Sequence, residues 1–128
     1  MENVKILCDT DVIIEYLKGN EETKEIFERL NKEEIGLSAI TLMELYYGAL
    51  NKRELNKIKK TLSTFNLFLI TEEITEIAIK LIEQYSKSHG LKIPDALIAS
   101  TAICYDIELW TYNVKDFRFI KNLKLMNI

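Results

Sequence analysis

Short apolar segments alternate with longer segments of helical periodicity along this chain of 128 residues. Short apolar runs predict buried strands, and helical segments between them are typical of crossover connections in a parallel sheet. The pattern therefore predicts a three-layer α/β/α fold with a central, mainly parallel sheet. The predicted strands are residues 4–8, 35–38, 65–70, 108–111 and 123–126.

Glycine and proline residues mark where predicted helices end and begin. Gly19 and Gly90 are suited to positions just after a helix, and Pro94 is suited to a first helical turn. The predicted helices are residues 12–18, 21–34, 39–50, 51–64, 72–89 and 94–105, with a further short turn at 116–120.

Length and composition indicate one globular domain over residues 1–128. A 48% apolar and 29% charged composition is that of an ordinary folded domain. The uncharged runs reach only about a dozen residues, short of the ~20 that a membrane-spanning helix needs. The N-terminus has no signal-peptide pattern. We therefore expect a cytoplasmic protein without a membrane segment.

The cysteines and the histidine exclude several classes of site. Cys8 and Cys104 have no short spacing between them and are expected to be free, buried thiols. A structural zinc site lacks a ligand set, because the chain has no CxxC pair and a single histidine. That histidine, His89, lies in a polar segment that indicates a solvated helix end.

Four carboxylates occur where a charge is unexpected. Asp9 directly follows the first predicted strand, and Asp116 follows the fourth, close to Asn113. Glu44 is the only charge in residues 39–50, and Asp95 is the only charge in residues 93–105. In open parallel sheets, ligands bind beyond the carboxyl ends of the strands, so these positions are the candidates for chemistry.

An oxygen-ligated divalent cation would explain the isolated carboxylates. An ionised carboxylate is unfavourable to bury without a partner, and neighbouring carboxylates repel one another. Hard oxygen ligands favour Mg²⁺ or Mn²⁺, which can activate water for attack on phosphate. Structural roles remain open. Asp9 or Asp116 could cap a helix, and Asp11 or Asp95 could lie in a first helical turn where the helix dipole stabilises its negative charge. Asn113 could be a turn residue.

Four segments together carry a family resemblance: residues 6–14, 38–48, 93–102 and 111–117. In this order they resemble the PIN-domain nucleases, specifically the VapC-like toxins of toxin–antitoxin pairs. The resemblance implies that Mg²⁺ or Mn²⁺ is held by Asp9, Glu44 and Asp95, with Asp116 and Asn113 at the fourth corner. Thr10 would line the site. Asp11 occupies a place where the family often has a small polar residue.

The resemblance also implies an activity and partners. The activity is metal-dependent endonucleolytic cleavage of RNA, and the protein partners are a cognate antitoxin that blocks the acidic site and a second copy in a homodimer. Because the net charge is −3, RNA would need local basic segments, found at residues 51–60 and 115–124. The apolar residues Leu45, Tyr46, Tyr47 and Leu50 could form a protein contact or belong to the core.

Three alternatives remain from the sequence. A housekeeping RNA-processing nuclease would have the same fold and site. Residues 7–12 also resemble the DxDxV loop of haloacid-dehalogenase-like phosphatases, but no downstream acidic pair follows residue 90. The third alternative is a binding module that retains the metal without turnover. Cleavage of RNA distinguishes the nucleases from both other classes.

Overall fold

The strands and helices alternate as the sequence predicts. The structure is a computed structural model that describes residues 3–127. Its strands are β1 (Ile6–Cys8), β2 (Ile35–Ser38), β3 (Asn66–Phe68) and β4 (Glu108–Trp110). Its helices are α1 (Thr10–Leu17), α2 (Glu21–Arg29), α3 (Ala39–Tyr47), α4 (Lys52–Leu62), α5 (Glu72–His89) and α6 (Ile93–Tyr105). Short 3-10 turns occur at Lys32–Glu34 and Val114–Asp116.

The four strands form one parallel sheet in the order β3-β2-β1-β4. The chain builds outward from β1 through β2 to β3, then returns to place β4 on the other side of β1. Ile6 is accordingly paired with Ile35 on one side and with Glu108 on the other. The strand order therefore reverses between β1 and β4, which is where parallel sheets of this kind bind ligands.

The sheet separates two hydrophobic cores, and successive residues of a strand belong alternately to one core and the other. Ile6 and Cys8 pack with α1, α2 and α4, whereas Leu7 packs with α5 and α6 on the opposite face. This arrangement confirms the three-layer α/β/α prediction. Gly36 has a specific role in the α5–α6 layer, because a methyl group at its Cα would approach the Phe68 ring to 2.5 Å. The absent side chain lets Phe68 lie flat against the sheet.

Most differences from the predicted elements are at their ends. α1 begins at Thr10 rather than residue 12, because the Asp9 carboxylate caps it. The helix predicted over residues 21–34 ends at Arg29, because the backbone of Leu30 is extended. α3 ends at Tyr47, and Asn51 caps α4 through the Glu54 N–H, so residues 48–51 form a connection instead of helix.

Two predictions near the C-terminus are wrong. Residues 123–126 form a single parallel bridge, Leu125 with Leu109, instead of a fifth strand. The predicted turn of helix at 116–120 is replaced by the 3-10 turn Val114–Asp116, which begins earlier because the Asn113 carbonyl accepts from the Asp116 N–H.

The predictions for the two cysteines and the histidine are mostly confirmed. Cys8 and Cys104 are free thiols, although Cys104 is only half-buried. His89 is exposed at the end of α5 and stacks on Phe119 at 4.3 Å. Within residues 3–127, every helix is too short or too polar to cross a membrane.

Candidate active site

Asp9 lies at the centre of the candidate site, between the end of β1 and the start of α1. Its extended backbone makes it the N-cap of α1, and its Oδ1 accepts from the Thr10 N–H at 2.8 Å. The residue is only 6% exposed. The capping role considered from the sequence is therefore real, but it uses only one of the two carboxylate oxygens.

The second oxygen of Asp9 accepts a hydrogen bond from Thr111, the residue directly after β4. The Thr111 hydroxyl donates to Asp9 Oδ2 at 2.8 Å, and Thr111 itself is buried. The Asn113 N–H in turn donates to the Thr111 hydroxyl at 3.0 Å. These two bonds join the carboxyl ends of β1 and β4 across the reversal of strand order, so the orientation of Asp9 is fixed from both strands.

Glu44 reaches the site through Thr10. The Thr10 hydroxyl lies 2.7 Å from Glu44 Oε1 and 3.0 Å from the hydroxyl of buried Thr41. Because Thr10 has a single hydroxyl proton, donation to the carboxylate is the stronger of the two bonds. Thr10 therefore connects α1, which carries Asp9 at its cap, with α3, which carries Glu44.

Asp95 and Asp116 complete the acidic surface. Asp95 is half-buried in the first turn of α6, and Asp116 is exposed at the end of its 3-10 turn. Burial raises the pKa of Asp95, and the charges of Asp116 and Glu44 raise it further, against a smaller opposing effect of Lys92. The tertiary fold thus brings together acids that lie on four separate segments of the chain, Asp9 included.

Burial and mutual repulsion dominate the electrostatics of Asp9. Burial, and after it the nearby charge of Asp11, raises its pKa from 3.8 to about 7, although the hydrogen bonds from Thr111 and Thr10 oppose the rise. The three ion pairs found in residues 3–127 lie elsewhere: Lys5–Glu34, Lys18–Glu15 and Lys124–Asp106. The acids of the site are therefore not neutralised by a paired lysine or arginine.

Asp11 and Asn113 lie at the other end of the site. Asp11 Oδ2 accepts from the Tyr112 N–H at 3.1 Å, while its Oδ1 is buried without a hydrogen-bond partner. Burial raises the Asp11 pKa as well. The side chain of Asn113 lines the same small pocket as Asp11. Asn113 is also joined to Asp116, because its carbonyl accepts from the Asp116 N–H at 2.9 Å.

The donor set suits a hard divalent cation. It consists of carboxylate and amide oxygens and has no paired cation in the described chain, and beside it one buried acceptor, Asp11 Oδ1, is unsatisfied. Within the described part of the chain, however, no three acidic, histidine or cysteine side chains converge closely enough to enclose an ion.

Sequence reasoning did not identify Thr111 and Thr41 as parts of the site. Thr111 had a usable signal, since it is a hydroxyl residue directly after the fourth predicted strand. Thr41 had none, because a threonine inside an apolar helix is unremarkable. Conversely, His89 contacts Tyr85, Ser88 and Phe119, none of which belongs to the site.

Comparison with known proteins agrees with this geometry. The family described as PIN domain matches residues 6–122. Ribonuclease VapC19 of Mycobacterium tuberculosis is 34% identical over 92% of this chain and 96% of its own length. Two solved structures are also similar. A toxin-antitoxin complex from Klebsiella pneumoniae has 35% identity and a TM-score of 0.79, covering 92% of this chain and 94% of that one. VapBC2 from Rickettsia felis, bound to a DNA fragment from its promoter, has 29% identity and a TM-score of 0.82, covering 96% and 98%.

Proposed function

The chain belongs to the PIN-domain family, and from this premise we propose that it is a metal-dependent endoribonuclease acting as the toxin of a toxin–antitoxin pair. One observation carries the proposal. Asp9 is buried with both oxygens oriented by Thr10 and Thr111, yet no protein cation is paired with it in the described chain. A carboxylate so placed is suited to a metal ion.

Asp9, Glu44, Asp95 and Asp116 would hold Mg²⁺ or Mn²⁺. The bound ion would lower the pKa of water and stabilise negative charge on the phosphate. Thr111 and the Thr10 N–H hold Asp9 in one orientation, and the Thr10 hydroxyl holds Glu44. Asn113 would contribute an amide at the fourth corner together with Asp116. A free carboxylate oxygen of this set would accept the proton of the attacking water.

The RNA backbone would approach along a groove between α1, α3 and α4. The groove has a volume of about 1170 Å³, and Thr10 and Glu44 form part of its lining. Its basic residues are Lys18, Lys24, Arg53 and Lys57. They offer phosphate contacts close to the acidic site despite the net charge of −3. Binding through them would weaken as salt is raised.

An antitoxin would occupy the same groove. Its more accessible apolar side chains, Ile14, Tyr16 and Leu17, suit an amphipathic partner segment. A basic side chain of that partner would neutralise the acids and exclude RNA. The relatives named VapC and VapBC favour this toxin role over a housekeeping nuclease.

A homodimer would use exposed apolar residues at the C-terminal end of α3 and in the connection that follows it. Leu45 is buried and belongs to the core, and Tyr46 is half-buried. Tyr47 and Leu50 are 94% and 85% exposed, respectively, so these two are available for a contact between copies. We place the dimer contact at this surface, separate from the carboxylates.

The purified chain is expected to cut RNA internally when Mg²⁺ or Mn²⁺ is present and to stop when EDTA is added. Cleavage is measured on labelled RNA, and restoration by excess Mn²⁺ serves as the control for EDTA. Hydrolysis of small phosphate esters without cleavage of RNA would contradict the proposal and favour the phosphatase alternative. Metal binding without either activity would favour the inactive binding module.

A further inference from the structure

Tyr112 is an exposed aromatic residue held rigidly beside the acidic site. It directly follows Thr111, and its N–H donates to Asp11 at 3.1 Å. At the other end of the side chain, its hydroxyl lies 2.6 Å from that of Thr23, which is fully buried in α2. The ring packs T-shaped against buried Trp110 at 6.1 Å. Tyr112 nevertheless remains 40% exposed.

The hydrogen-bond directions show that the Tyr112 hydroxyl is a donor. The Thr23 hydroxyl lies 3.1 Å from Asn20 Oδ1, the oxygen that also caps α2 by accepting from the Thr23 N–H. Since a carbonyl oxygen only accepts, Thr23 gives its proton to Asn20 and receives one from Tyr112. The ring is therefore fixed at both ends, which reduces the entropy lost when a ligand stacks on it.

A pocket of about 440 Å³ opens beside this ring. Its polar lining consists of two amides and three carboxylates besides the tyrosine, and it contains no lysine or arginine: Asn20, Asn113, Asp11, Glu15 and Glu22. A phosphate group would be repelled here. A flat ligand that presents N–H donors would instead be matched by the ring and by the acceptor-rich rim.

We propose that this pocket binds a nucleobase of the RNA next to the cleaved phosphate, stacked on Tyr112. The inference rests on the proposed nuclease function and identifies which part of the substrate this side of the site recognises. The carboxylate rim favours bases that carry an exocyclic amino group over uracil. Guanine fits best, because its N1–H and amino group present two donors to one carboxylate.

A basic side chain of a protein partner is the competing ligand, since it would also satisfy the carboxylates. The rigid ring and the Asn113 amide favour the base. A base edge presents both donors and acceptors, which the carboxylates and the Asn113 amide can match, whereas lysine and arginine present donors alone.

The test compares Tyr112→Leu, Tyr112→Phe and the control Tyr105→Leu. Tyr105 has a similar exposure of 42% but packs on Phe68 in the other layer. Cleavage of a random RNA library, read by sequencing the new ends, gives the base preference. For Tyr112→Leu we expect a rise in KM with a loss of about tenfold or more in kcat/KM, and loss of the preference for amino-bearing bases. Tyr112→Phe and Tyr105→Leu should retain that preference.

Binding distinguishes failure of this inference from failure of the nuclease function. Short oligonucleotides are titrated by fluorescence anisotropy with Ca²⁺, with guanine or uracil at each position in turn. Guanine-selective binding that Tyr112→Leu abolishes supports the pocket even if the chain cuts no RNA. RNA cleavage whose base preference is unchanged in Tyr112→Leu overturns the pocket while leaving the nuclease intact. Reduced binding of the antitoxin with unchanged RNA binding would assign the pocket to a protein partner and also overturn it.

Discussion

Replacing Asp9 with Asn is expected to reduce RNA cleavage by about three orders of magnitude, roughly 4 kcal/mol of transition-state stabilisation. Asn has the shape of Asp but lacks the charge that would bind the cation. Its carbonyl oxygen can still accept from Thr10, and its amide can face the Thr111 hydroxyl. The fold should therefore survive while the activity is lost. Single-turnover cleavage rates and circular dichroism measure the two effects.

Asp106→Asn is the matched control for this loss of activity. Asp106 is an aspartate outside the site, paired with Lys124 at 2.7 Å at the end of α6. Its left-handed backbone, with φ of 54°, is well tolerated by Asn. The control should cleave RNA at the wild-type rate. An Asp9→Asn variant that also retained wild-type cleavage would exclude Asp9 as a metal ligand.

The metal-free protein is expected to lose stability as pH rises from about 4 to 7. Burial, followed by the charge of Asp11, raises the pKa of Asp9 from 3.8 to about 7. The native state therefore keeps a proton that the unfolded chain has already released, and ionising Asp9 destabilises the fold. At about 1.4 kcal/mol per pKa unit the effect amounts to a few kcal/mol. Asp95 and Asp11 shift in the same direction.

Mn²⁺ should reverse this pH dependence, because it binds the ionised carboxylates. Urea midpoints at pH 5.5 and pH 8, in EDTA and in Mn²⁺, measure both effects. We expect the protein in EDTA to be less stable at pH 8, the gain from Mn²⁺ to be larger at pH 8, and Asp9→Asn to reduce both differences. Equal midpoints at the two pH values in EDTA would show that burial and the charge of Asp11 do not raise the pKa of Asp9.

The fold class could be predicted because local signals agree with the tertiary structure. The strand at residues 35–38 is apolar and short, and the helix at 72–89 has a capping threonine, regular apolar spacing and a terminal glycine. The element ends were less predictable. α3 and α4 appear continuous in sequence, whereas residues 48–51 separate them in the structure and Asn51 caps α4.

The candidate site could be predicted only in part. Asp9 is identified by its position after a strand, and Glu44 and Asp95 by their isolation in apolar helices. The bonds from Thr111 to Asp9 and from Thr10 to Glu44 join residues 102 and 34 positions apart. No local sequence pattern specifies contacts between residues so far apart in the chain, because these contacts follow from the strand order.

We propose that the carboxylates gathered where β1 meets β4 share a divalent cation. Anomalous scattering from crystals soaked in Mn²⁺ tests it most directly, with Asp9→Asn crystals as the control. We predict a Mn²⁺ peak bounded by Asp9, Glu44, Asp95 and Asp116 that disappears in the variant. A peak held by other residues, or no peak at Mn²⁺ concentrations that support RNA cleavage, would show that these four carboxylates do not hold the ion.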